Sequence, residues 1–293
     1  MQRFSDKEKL LILGSGGLLG SYVSKHLASD FSIYEHSRNP FNTFKADMLK
    51  LEEVKRLLNK VQPNTVLNLV ALADVDACAN VQNAYLGNVK TAENLAESVQ
   101  THSSQPYVLH ISTDHVYDAR QPNSESQVCL TNNYAFSKYA SEMAFKGIKA
   151  SCLRTNFFGK SVAQKRSFSD WIVESLSSGD QIHVFNDVFF NPLSLCTLSK
   201  NIAKISSLQP VGIFNLGSRE GMSKAEFAFS LAEELGLPTK LLKPKSVNEA
   251  TFLKEYRPRG MLMNVEKIES LLEQQMPTLR DEIKLVSKEY KGE

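Results

Sequence analysis

Tyr134-Ala135-Phe136-Ser137-Lys138 places a phenol and an ammonium four residues apart. On a helix this spacing puts both on one face, about 5–6 Å apart at Cβ. A cation that close is expected to lower the phenol's pKa and fit it for proton exchange with a carbonyl or alcohol. About twenty residues upstream, Ser112-Thr113-Asp114 follows the apolar run 107–111. A hydroxyl at that strand end can hydrogen-bond the oxygen that the tyrosine protonates. Thr113, Tyr134 and Lys138 are therefore the candidate catalytic residues, and the chemistry is that of a ketone/alcohol oxidoreductase.

Such chemistry needs a hydride carrier, and a second motif fits one. Gly14-Ser15-Gly16-Gly17-Leu18-Leu19-Gly20 follows a short apolar run and opens a helical pattern. The spacing is GxxGxxG. The first glycine allows a tight turn, the second lets backbone approach a pyrophosphate at the helix start, and the third lets the helix pack closely. After the second strand come Glu35 and then His36-Ser37-Arg38. An acid there suits the ribose hydroxyl of NAD, whereas Arg suits the 2′-phosphate of NADP. Arg38 before Asn39-Pro40 favours NADP, with NAD also possible. The other reading of Arg38 is a solvated loop charge.

The elements that must position these residues are legible as alternating patterns. Apolar runs at 10–13, 31–34, 65–70, 107–111 and 151–154 read as strands. Between them, helical stripes run through Leu18–Leu27, Leu51–Val61, Val89–Val99 and residues 133–146. Strand–helix alternation predicts an α/β fold, a doubly wound parallel sheet of Rossmann type, whose ligands bind outside the carboxyl ends of the strands. The expected organisation is an NAD(P)-binding domain over residues 1–160, rejoined by about 186–217, with an interleaved substrate-binding lobe over 161–293. The strand read at Gly212–Gly217 is expected to return to the first sheet, and Lys240 to Arg259 to be irregular.

Composition sets outer bounds. The 293 residues are 42% hydrophobic and 23% charged, with a net charge of only +2. That is ordinary for a globular protein and argues against a strongly basic nucleic-acid binder. No apolar stretch reaches the ~18 residues of a membrane span. The four cysteines form no CxxC and have no histidine cluster near them, so no metal site or disulfide framework is expected. A cytoplasmic protein with reduced thiols, monomeric or homodimeric, is the expectation.

Taken together, these motifs resemble the extended short-chain dehydrogenase/reductase family, and within it the dTDP-4-dehydrorhamnose reductase branch. The residues that carry the resemblance are Gly14 to Gly20, His36-Ser37-Arg38, Asp47-Met48, Asn68 to Ala71, Val75-Asp76, Asn88-Val89, Ser112 to Asp118, Tyr134 to Lys138, Leu153 to Gly159, Asn191-Pro192 and Arg257-Pro258. The resemblance implies that Tyr134 is the proton donor, Lys138 its partner and Thr113 the third member. It implies cofactor contacts at Gly14, Gly16, Gly17, Leu18, Leu19, Gly20, Ser37, Arg38, Asp47, Met48, Val70, Ala71, Leu72 and Asn88, besides Tyr134 and Lys138. It places Asp114, His115, Asn156 and Arg257 on the substrate side.

Departures from the family pattern fall mainly on that side. Leu72 replaces a tyrosine or histidine, Ala79 an acid, and Asn156 the tryptophan that opens an aromatic pair. The implied function is NAD(P)H-dependent reduction of the 4-keto group of a nucleotide-linked 6-deoxy sugar, in cell-surface polysaccharide biosynthesis. Two other readings are carried with it. One is a cofactor-retaining epimerase or dehydratase of the same family, which for dehydration would need an acidic pair after Thr113. The other is a non-catalytic NADP-binding regulatory subunit. His110 reads as a core histidine, and Trp171 as a packing residue or a nucleotide-base contact.

Overall fold

The computed structural model describes residues 7–37, 44–162 and 166–293. Strand β1 (Lys9–Leu13) shows why the sheet is sandwiched. Leu10 and Ile12 enter one core with α1 (Leu18–His26), while Leu11 and Leu13 enter another with α2 (Leu51–Val61). Alternate side chains leave a strand on opposite faces, so an uninterrupted apolar run requires helices on both.

The remaining strands are β2 (Ser32–His36), β3 (Thr65–Asn68), β4 (Tyr107–Ile111), β5 (Ala150–Thr155) and β6 (Gly212–Leu216). Among the described residues they form a six-stranded parallel sheet in the order β6-β5-β4-β3-β1-β2. Helix α3 (Thr91–Thr101), continuous with a π-helical stretch Tyr85–Lys90, shares the α2 face. Helix α4 is Asn133–Ala144, α5 is Phe168–Ser177 and α6 is Leu195–Leu208, the last lying beside α1. Register aligns the strand ends: Leu13 pairs with His36 and Asn68, Asn68 with His110, and Thr155 with Leu216. Everything that follows a strand therefore emerges at one edge.

A separate apolar core lies above that edge. It joins α5, α7 (Lys224–Leu235) and α8 (Leu279–Lys291) around Phe158, Phe190 and Phe227. The stretch 240–259 departs from the expected irregular form. Leu242–Lys245 is a strand paired in parallel with Ile182–Phe185. Pro244 is tolerated because, among the described residues, each of these strands has only one partner, and an edge needs no donor on its outer side. The four cysteines are free. Among the described residues no helix is long and apolar enough to cross a membrane.

Candidate active site

The turn after β1 is fixed by its neighbour. Gly14 and Ser15 N–H both donate to His36 O, at 2.9 and 3.0 Å. Gly14 has φ +86°, a left-handed conformation that side chains resist. A Cβ on Gly20 would lie 2.6 Å from Gly14 O, so only glycine lets α1 approach the turn. Gly17 is the N-cap of α1, with no side-chain cap and no acid in the first turn. The N–H groups of Leu18, Leu19 and Gly20 thus begin a helix without intrahelical acceptors, and the helix dipole there favours an anion. Among the described residues a Cβ on Gly16 would meet nothing closer than Ser37 at 3.6 Å. This cradle fits a pyrophosphate.

The other cofactor-side candidates frame the same edge. Ser37 is buried at the end of β2. Arg38 lies outside the described residues. Asp47 is exposed, accepts from Leu49 N–H at 3.0 Å and pairs with Lys50 at 3.8 Å. Met48 is buried, and its carbonyl takes the Asn94 amide at 2.9 Å. Val70, Ala71 and Leu72 follow β3. Asn88 is buried beneath them. Its Oδ1 accepts from Leu72 N–H at 2.7 Å, and its Nδ2 donates to Leu72 O at 3.2 Å and to Ser137 Oγ at 2.8 Å. Asn88 therefore ties the loop to α4, with its amide engaged within the protein.

Beyond β4 the structure brings Thr113, Asp114, His115, Tyr134 and Lys138 together. The Thr113 hydroxyl lies near enough to the Tyr134 phenol to favour its anion. Thr113 Oγ1 also accepts from His115 N–H at 3.1 Å. Lys138 is only 2% exposed, and its ammonium donates to Ile111 O at 2.8 Å. Burial lowers its pKa to about 8, against the attraction of Glu142. The expected depression of the phenol does not occur. Burial pushes Tyr134 up to about 12, outweighing the effect of the Thr113 hydroxyl beside it. The His115 ring meets Tyr134 edge-on at 5.3 Å, and burial lowers its pKa to about 3. Asp114 is 1% exposed and raised to about 6 by burial, although Asn156 Nδ2 donates to it at 2.7 Å.

Arg257 comes from the distant C-terminal segment and ion-pairs with Asp76 at 2.9 Å. Asp76 also accepts from Lys254 and Glu255 N–H, both at 3.0 Å. Arg257 holds this carboxyl below its usual range. The guanidinium lies near enough to His115 to disfavour its protonation.

Sequence reading missed Lys224, whose charge interacts with both Asp114 and Arg257. Its one local signal is the capping pattern Ser223-x-x-Glu226, which places residue 224 at a helix start. His110 is a core histidine, held between Asn68 and Ser141 at 3.0 Å each. Trp171 stacks on Phe168 at 5.8 Å.

The family described as RmlD substrate binding domain matches residues 8–291. Methionine adenosyltransferase 2 subunit beta of Pongo abelii is 24% identical, over 90% of this chain and 82% of that protein. The dTDP-4-dehydrorhamnose reductase of Escherichia coli is 23% identical, over 89% and 90%. The crystal structure of dTDP-4-dehydrorhamnose reductase from Bacillus anthracis in complex with NADP superposes with a TM-score of 0.86 at 23% identity, covering 97% of this chain and 99% of that one. A fold, an edge of aligned strand ends and a family match over nearly the whole length agree: this chain belongs to the RmlD substrate binding domain family.

Proposed function

We propose that the protein is an NAD(P)H-dependent reductase of the 4-keto group of a nucleotide-linked 6-deoxy sugar, with NADP as the primary cofactor and NAD the alternative. One observation carries this reading. The Thr113 hydroxyl stands beside the half-buried Tyr134 phenol, Lys138 lies one helical turn on, and all three stand at the edge that holds the glycine cradle. The reductase names among the relatives support it.

The dinucleotide, held by the Gly14–Gly20 turn and the slot at Val70–Leu72, supplies the hydride when bound. The chain's own residues handle the proton. A phenol with a pKa of about 12 is fully protonated at neutral pH, as a donor must be. As charge grows on the carbonyl oxygen, Tyr134 donates its proton and the Thr113 hydroxyl donates a hydrogen bond to the same oxygen. Lys138, anchored on Ile111 O, holds positive charge beside the phenolate that forms. Asp114, with Asn156 and Arg257, faces the substrate. Only one acid follows Thr113, and burial keeps His115 neutral, so the acid pair of a dehydratase is lacking.

The relative named as a methionine adenosyltransferase subunit favours one second reading, a cofactor-binding regulatory subunit. The two are separated by following NADPH and NADH absorbance with dTDP-, GDP-, UDP- and CDP-linked 4-keto sugars. The reductase consumes cofactor with at least one of them. Tyr134→Phe lowers kcat by about 10²–10⁴-fold while cofactor affinity is kept. No turnover with any sugar nucleotide, together with recovery of a stoichiometric protein partner, would establish the subunit reading instead.

A further inference from the structure

Lys224 is misplaced by every local criterion. It is the first residue of α7, where the helix dipole disfavours a cation. The helix start does not need it. Ser223 Oγ accepts from Glu226 N–H at 3.1 Å, and Glu226 accepts from Ser223 N–H at 2.7 Å. The ammonium stands over the rings of Phe168 and Phe190, at 5.5 and 5.9 Å from their centroids. Among the described residues it forms no ion pair and no hydrogen bond, and burial lowers its pKa. Apart from these two rings, nothing in the fold repays the broken local rules, and such a residue marks a functional position.

Its surroundings define what it binds. Asp114 lies across from it, close enough for the charges to interact but not in ion-pair contact. One oxygen of that carboxylate takes the Asn156 amide, while the other has only a long 3.3 Å hydrogen bond from Thr113. An anion between the two would be repelled by Asp114, and a cation by Lys224. A hydroxyl group satisfies both, because it donates to a carboxylate and accepts from an ammonium. Phe168, with Trp171 stacked on it, adds the apolar wall that the C–H face of a sugar ring needs.

We propose that Lys224 is a specificity-determining residue that reads the sugar of the substrate: its ammonium donates to a ring hydroxyl whose own proton goes to Asp114. The inference rests on the reductase reading and adds to it the recognition of the sugar, apart from the nucleotide. Arg257, held by Asp76, is the cation left for the diphosphate.

The test uses the sugar nucleotide that the wild-type protein reduces, with the matching bare nucleoside diphosphate as inhibitor. Lys224→Met raises KM for the sugar nucleotide by about 10-fold or more, the effect of one charged hydrogen bond. The inhibition constant of the bare diphosphate and KM for the cofactor stay within about 2-fold, and the thermal midpoint holds or rises because an uncompensated charge is gone. Lys224→Gln, which keeps a donor, recovers part of the loss. An unchanged KM in Lys224→Met overturns the proposal. So does equal weakening of the bare diphosphate, which would put the ammonium on the phosphates. Wild-type protein inactive on every keto sugar overturns the reductase reading itself, and this inference with it.

Discussion

At the scale of single residues, the site is governed by exclusion of water. Asp114 illustrates the sign. Its folded pKa, about 6, stands above the ordinary 3.8. The folded protein therefore binds this proton more tightly than the unfolded chain does. The resulting penalty is absent below about pH 4 and complete above about pH 6, where it amounts to about 3 kcal/mol. Asp114→Asn is expected to be more stable than wild type at pH 7, by up to that amount in urea unfolding, and no more stable near pH 4. A pH-independent difference would refute the assignment. The triad Thr113, Tyr134 and Lys138 could be read in advance because strand-end position and i, i+4 spacing are local properties. The tuning could not. It depends on burial, and burial reversed the expected direction for the Tyr134 phenol. Nor could Lys224, which α7 delivers to Asp114 from about 110 residues further along the chain.

At the scale of elements, the sheet was the legible part. Runs such as Leu10–Leu13 and Tyr107–Ile111 are buried on both faces, so their apolar character is continuous and their ends abrupt. One short strand above the sheet was not legible. Leu242–Lys245 carries two lysines and a proline, and only its pairing with Ile182–Phe185 makes it a strand. Tight contact between elements yields a sharper expectation at Gly20. A methyl group there would meet Gly14 O at 2.6 Å and Ser15 Cα at 2.7 Å, both backbone. Gly20→Ala must push α1 off the turn, costing about 1–3 kcal/mol and weakening cofactor binding. Thermal unfolding and NADPH fluorescence titration report the two effects separately. Wild-type cofactor affinity in this variant would show that the close approach does not shape the cradle.

At the scale of the whole molecule, one buried ion pair joins distant parts. Arg154 on β5 grips Glu142 on α4 through Nε at 2.9 Å and Nη2 at 2.7 Å. Ser112 Oγ donates to the same carboxylate at 2.5 Å, and Arg154 Nη1 donates to Tyr117 OH at 2.8 Å. Tyr117 OH in turn donates to Asn215 Oδ1 on β6 at 2.6 Å. Glu142→Ala leaves the guanidinium, 1% exposed, without its counter-charge, and is expected to cost about 3–5 kcal/mol in urea unfolding. Replacing both members with apolar residues of similar size should cost less than the single change.

The return of β6 to the sheet also sets an order of events during synthesis. β5 ends at Thr155, but its outer partner begins at Gly212. Until that strand has left the ribosome, β5 presents an open parallel edge, and the Arg154 cluster lacks Asn215. The nascent chain must carry both liabilities through more than fifty residues of growth. That interval is when a chaperone has most to shield and a second nascent chain has most to pair with.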